Sequence, residues 1–61
     1  MKVGDLVKWT HPQAVDYGLV LKVADPTSFL TGQVFIEWHA APDHSGYYPS
    51  DHQLLELISE G

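Results

Sequence analysis

The chain has 61 residues, no cysteine, eight acidic residues against three lysines and no arginine, and a formal net charge of −5. A chain of this length forms one domain with a small core, and the lack of thiols excludes disulfides, thiolate metal sites and a cysteine nucleophile. The acidic balance disfavours binding to nucleic-acid phosphates and to anionic membranes. We therefore expect one soluble domain over residues 1–61, located in a cytoplasm or in a particle assembled there.

Short apolar clusters with turn residues between them predict a small all-β domain. In chain order, the predicted strands cover residues 3–9, 17–23 and 33–38. The segments 10–16, 24–28 and 41–46 are rich in Pro, Asp, His, Ser and Gly and are predicted loops. At Gly18, which opens the second strand, we expect a bulge or a close backbone approach.

Apolar residues alternate with a period of two along each predicted strand, as they do when one face of a sheet is buried. The alternating positions are Val3, Val7 and Trp9 in the first strand, Leu19, Leu21 and Val23 in the second, and Val34, Ile36 and Trp38 in the third. On the third strand, Phe35, Glu37 and His39 take the other face.

The C-terminal segment has two interpretations. Residues 50–53, Ser-Asp-His-Gln, have the spacing of a capping box, which predicts a short helix with Leu54, Leu55 and Ile58 on one face. In the other interpretation, residues 50–53 form a 3₁₀ turn and residues 54–58 form a last strand. So short a helix is not stable alone in water, and either form needs the rest of the domain to hold it. We favour the turn followed by a strand.

Two stretches resemble Src-homology-3 (SH3) domains. Residues 2–7, Lys-Val-Gly-Asp-Leu-Val, resemble the opening of many SH3-like barrels. Residues 46–52, Gly-Tyr-Tyr-Pro-Ser-Asp-His, resemble the Gly-x-Phe-Pro-Ser-Asn-Tyr stretch of signalling SH3 domains. The resemblance implies a five-stranded SH3-like barrel with a 3₁₀ turn before the last strand. It also implies that Tyr48 replaces the Phe, that Pro49 and His52 lie in a peptide groove, and that Trp38 lies near the groove Trp.

Over its whole length the chain is more similar to the small SH3-like proteins encoded by bacteriophages, especially those of marine bacteria and cyanobacteria. The shared frame is a Lys-Val-Gly-Asp-Leu-Val start, a Gly-x-Val strand, a Val-x-x-x-Trp strand (residues 34–38) and a Pro-Ser-Asp end (residues 49–58). Most of that family is uncharacterised, so this resemblance implies a fold and a viral origin.

The aromatic residues are too many for one small core. They are Trp9, Tyr17, Phe29, Phe35, Trp38, Tyr47 and Tyr48. Trp9 and Trp38 are candidates to fill the barrel or plug its ends. The surplus, for which Tyr47, Tyr48, Phe35 and Trp38 are the candidates, is expected to be half exposed, and exposed Tyr and Trp anchor interfaces.

These residues define a predicted contact strip for a protein partner. The predicted strip consists of Trp38, Tyr47, Tyr48, Pro49 and His52, with Tyr17 and Asp16 at its edge. Aromatic rings beside a proline suit an extended or proline-rich peptide, and the surrounding acids suit a basic one. We expect Tyr48→Ala to weaken partner binding with little loss of stability.

The leading hypothesis is a non-catalytic, protein-binding phage module whose partner is a host or viral protein. One alternative is a structural component of a virion or other assembly, and a weaker alternative is a small nucleic-acid-binding barrel. We expect no catalytic residue, metal or cofactor, because no nucleophile motif is present and the histidines lack the spacing of zinc ligands. The histidines are His11, His39, His44 and His52.

Overall fold

The computed structural model describes all 61 residues and is all-β, as predicted. Its strands are β1 (Leu6–Trp9), β2 (Asp16–Val23), β3 (Gln33–Trp38), β4 (Gly46–Pro49) and β5 (Leu55–Ser59), and one 3₁₀ helix, η1, covers Pro42–His44. The strands form a single sheet in the order β4-β3-β2-β1-β5, and every pair of neighbours is antiparallel. The protein has no helix of the length and apolar character required to span a membrane.

The predicted closure of the sheet into a barrel is not confirmed, because β4 and β5 are the edges of one open sheet. The connection between them, residues 50–54, crosses from the β4 edge of the sheet to the β5 edge. The backbone N–H of Ser50 donates to the carbonyl of Gly32 (3.0 Å), and the carbonyl of Leu54 accepts from Thr10 (2.8 Å). This connection therefore joins the two edge strands without a ladder between them.

The core contains five buried apolar side chains on one face of the three central strands. They are Val7, Val20, Val34, Ile36 and Trp38. Each of the aliphatic side chains is no more than 1% exposed, and complete burial of such a side chain stabilises the fold by about 1.5–3 kcal/mol. The predicted buried face of the third strand, with Val34, Ile36 and Trp38, is thus confirmed.

The period of two along the second strand does not mark its buried face. Leu19, Leu21 and Val23 are 38–49% exposed, whereas Val20 is fully buried. A register shift between β2 and β3 follows Val20, so that Lys22 pairs with Phe35. The period of two holds from Tyr17 to Leu21, but the buried positions are Gly18 and Val20, so Leu19 and Leu21 lie on the exposed face. The register shift interrupts the alternation only after Val20.

The C-terminal segment is a strand, which confirms the favoured interpretation over the helix. The 3₁₀ helix, however, lies between β3 and β4 and not before the last strand. Pro42 occupies its first turn, where a fixed φ suits the helix and a missing N–H costs nothing. Residues 50–54 instead form turns, with bonds from the N–H of His52 to the carbonyl of Pro49 (3.1 Å) and from Leu55 to His52 (3.0 Å).

A buried carboxylate joins the two ends of the chain. Asp5 is 2% exposed and accepts the backbone N–H groups of Lys2 (2.9 Å) and Gly61 (3.1 Å). The bond from Lys2 is the largest of the effects that hold the pKa of the Asp5 carboxyl below its usual value of 3.8. The N-terminal turn is thereby fixed to the C-terminal end.

Candidate functional site

Four rings form one cluster on the core face of the sheet, and Trp9 is its centre. The Trp9 ring lies 5.9 Å from Trp38, 5.8 Å from Tyr48 and 4.9 Å from His52, measured between ring centroids. Trp38 and Tyr48 are in contact as well, at 5.6 Å and close to perpendicular. Edge-to-face pairs of this kind are favourable beyond the area that they bury.

The two tryptophans have different environments. Trp38 is 4% exposed and belongs to the core, so it does not form part of an exposed shelf. Trp9 is half-buried and packs against the core from outside, as does Tyr48. The partly exposed indole of the site is therefore that of Trp9, a residue that was a candidate to fill the barrel or plug its ends and is absent from the predicted strip.

Beside this cluster lies an open groove of about 290 Å³. It is lined by Trp9, Ala14, Val15, Asp16, Trp38, Ala40, Ala41, His44 and Tyr48, of which seven are hydrophobic. One wall is the end of the β1–β2 loop, and the other is the β3–β4 connection that contains η1. The three alanines leave the space between these walls open, because a methyl group is too short to fill it.

Hydrogen bonds hold the η1 wall in place. The carboxylate of Asp16, across the groove, accepts the backbone N–H groups of Ala40 and Ala41 at 3.0–3.2 Å. The hydroxyl of Tyr48 donates to the carbonyl of His44 at 2.6 Å. The hydroxyl oxygen of Ser45 accepts the N–H of Trp38 at 3.1 Å. The groove is thus formed before any ligand binds.

The structure divides the predicted strip between two faces. Trp38, Tyr48 and Asp16 line the groove, whereas His52 packs against Trp9 and is not part of the lining. Two other members lie on the opposite face, since neighbouring residues of a strand point in opposite directions.

On that opposite face, Tyr47 packs against Phe35 with ring centroids 5.3 Å apart. The ammonium of Lys8 lies 5.9 Å from the centroid of the Tyr17 ring. Pro49, the last predicted member, ends β4 opposite Gln33 and lies outside the groove.

The histidines are separate from one another. His11 and His52 each accept a backbone N–H at Nδ1, from Gln13 and Leu54 respectively, both at 3.1 Å. His44 lies 3.9 Å from Asp43, and both side chains are exposed. The structure brings together no group of three or more histidine and carboxylate side chains that could hold a metal ion.

Sequence reasoning missed most of the groove-lining residues outside the aromatic set. Ala14, Val15, Ala40 and Ala41 lie in or beside predicted loops, and nothing in their spacing shows that two loops meet. The available signal was small side chains near Asp16, which are consistent with a close approach of two segments. Comparison with protein-family models, with curated proteins and with solved structures finds no match to the chain.

Proposed function

We propose that this domain is a non-catalytic protein-binding module that takes an extended peptide segment of its partner in the groove. The observation that carries the proposal is a preformed groove of about 290 Å³ in which seven of nine lining residues are hydrophobic. Grooves of this kind, with aromatic side chains in the lining, recognise extended and proline-containing segments, whose stiff backbone loses little entropy on binding.

The charge of the chain supports a protein partner over a nucleic acid. With a net charge of −5 and no arginine, the domain attracts basic proteins at long range and repels phosphate. The nucleic-acid alternative is therefore the weakest. Binding of the domain to DNA or RNA at physiological salt would overturn this argument.

The composition of the groove supports a role without catalysis. Its lining contains no serine, threonine or lysine that could act as a nucleophile, and its one carboxylate accepts backbone N–H groups. The groove is also open to water, which weakens the electrostatic stabilisation that an enzyme site needs.

The resemblance to small phage proteins supports a viral origin. On that basis the partner is a host or viral protein, and the module acts in the host cytoplasm or in the virion. Only this resemblance supports the viral origin and the location of the module.

A structural role in an assembly is the second candidate, favoured by the exposed apolar side chains of the opposite face. On that face and along the open edges, Leu6, Tyr17, Leu19, Tyr47, Leu57 and Ile58 are 37–46% exposed. An adaptor is a folded monomer when free, whereas an assembly component self-associates through such a surface. Light scattering across a range of protein concentrations distinguishes the two.

A matched pair of variants tests the groove. Val15, in the groove, is 53% exposed, and Val23, at the far end of β2, is 49% exposed. Val15→Glu and Val23→Glu therefore introduce the same side chain at similar exposure. Peptides selected from a random library on the wild-type domain should bind Val23→Glu normally and lose binding to Val15→Glu. Equal binding to both variants would reject the groove as the site.

A further inference from the structure

The carboxylate of Asp16 connects the two walls of the groove. Its Oδ1 atom accepts the N–H of Tyr17 (2.7 Å) and the N–H of Ala40 (3.0 Å). Its Oδ2 atom accepts from Ala40 and from Ala41, both at 3.2 Å. Asp16 begins β2, whereas Ala40 and Ala41 follow β3, so the side chain joins segments that are 24 and 25 residues apart in the chain.

An acidic side chain in an aromatic groove would ordinarily be expected to bind a cationic side chain of the ligand. Here the carboxylate already receives three backbone N–H groups through four contacts, and a carboxylate has about four lone-pair positions. A lysine or arginine of the ligand would have to compete with the bonds that shape the groove. The other polar residue of the lining, His44, carries no negative charge.

We propose that Asp16 is a positioning residue that holds the groove walls together, and that the groove accordingly takes an uncharged apolar segment. This inference rests on the proposed function. The net charge of −5 still attracts a basic partner, but at long range. The basic residues of that partner then lie outside the groove, and its apolar side chains contact Trp9 and Tyr48.

Amide hydrogen exchange tests the positioning role without any ligand. In Asp16→Ala, the amides of Ala40 and Ala41 should exchange at least about tenfold faster than in the wild type, because they lose their acceptor. The core amides of Val20 and Ile36 should keep their rates. Unchanged exchange at Ala40 and Ala41 would overturn the positioning role, and a parallel rise at the core amides would show a general loss of stability instead.

Two synthetic peptides test the ligand class. The first is an N-acetylated decapeptide of alternating proline and leucine, and the second carries lysine in place of its central leucine. The wild type should bind the leucine peptide more tightly, by about tenfold, since the lysine peptide loses the apolar contact of the leucine and finds no free carboxylate in the lining. Asp16→Ala should weaken both peptides by the same factor, and Asp16→Asn, which retains a side-chain oxygen as acceptor, should weaken both by less.

The outcomes separate the two claims. A selective loss of the lysine peptide in Asp16→Asn would show that the carboxylate reads a cation, and would overturn the inference. Equal binding of both peptides by the wild type and Asp16→Ala would overturn the positioning role in binding. If the wild type binds neither peptide, the proposed function and the ligand class fail together, while the exchange rates of Ala40 and Ala41 still decide whether Asp16 holds the walls.

Discussion

Replacement of Gly18 by alanine should be among the most damaging single methyl additions in this domain. A Cβ atom at Gly18 would lie 2.5 Å from Cγ2 of Ile36 and 2.7 Å from Cε3 of Trp38. Carbon atoms in contact are separated by about 3.5–4.0 Å, so the added methyl overlaps both neighbours by roughly 1 Å. Both neighbours belong to the core, with Ile36 0% and Trp38 4% exposed.

The size of this effect follows from the packing. Excess volume in a well-packed core costs about 1–3 kcal/mol and sometimes more. Because the added methyl group overlaps two side chains of β3, we expect Gly18→Ala to cost about 3 kcal/mol. A domain of this length has a free energy of unfolding of about 3–9 kcal/mol. With a urea m-value near 1 kcal/mol/M, the midpoint should fall by about 3 M. Tryptophan fluorescence reports the transition, since both indoles lie in or against the core.

Gly46→Ala is the matched control. A Cβ atom at Gly46 has no heavy atom within 4 Å, so this variant should change the free energy of unfolding by less than about 0.5 kcal/mol. Equal urea midpoints for Gly18→Ala and Gly46→Ala would refute the packing of Trp38 and Ile36 over Gly18, and with it the inner face of the sheet described here.

Three further outcomes follow from particular contacts. Tyr48→Phe removes the hydroxyl bond to His44 but keeps the ring, so it should cost about 0.5–1 kcal/mol in urea unfolding. Tyr48→Ala also loses core packing and should cost more, in contrast to the small loss of stability expected from the sequence. The pKa of Asp5 is lower in the folded state than in the unfolded state. The stability that Asp5 contributes is therefore complete above the unfolded pKa and is lost as the pH falls through the folded pKa. Thermal melts of Asp5→Asn at a series of acidic pH values should lack this part of the pH dependence. Phe29 is 94% exposed, and Phe29→Ser should leave the free energy of unfolding within about 0.5 kcal/mol of the wild-type value.

The all-β class and the buried face of β3 were predictable because they depend on local alternation. Val34, Ile36 and Trp38 occupy a regular central strand, where a period of two directly reports burial. These two features need no knowledge of the partner strand. At Gly18 the prediction was a bulge or a close backbone approach, whereas the groups that crowd this glycine are the side chains of Ile36 and Trp38 on the partner strand.

The parts that could not be predicted depend on pairing between distant segments. Trp38 is buried because it pairs across the sheet with Gly18, which has no side chain to displace the indole ring. Trp9 is the last residue of β1 and is only half-buried. The apolar alternation of Leu19 and Leu21 lies on the exposed face, because Gly18 and Val20 take the buried positions of β2. The predicted strip treated residues 47 and 48 as one surface, although adjacent strand residues face opposite sides and only Tyr48 lines the groove.

Titration of the isotope-labelled domain with the proline–leucine decapeptide tests the central claim most directly. The account predicts saturable NMR shifts of the Trp9 indole N–H and of the Ala40 and Ala41 amides, with none at the ring protons of Tyr17 or Tyr47 on the opposite face. Shifts confined to Tyr17 and Tyr47, or no saturable shift at any residue, would contradict the assignment of the groove as a peptide-binding site.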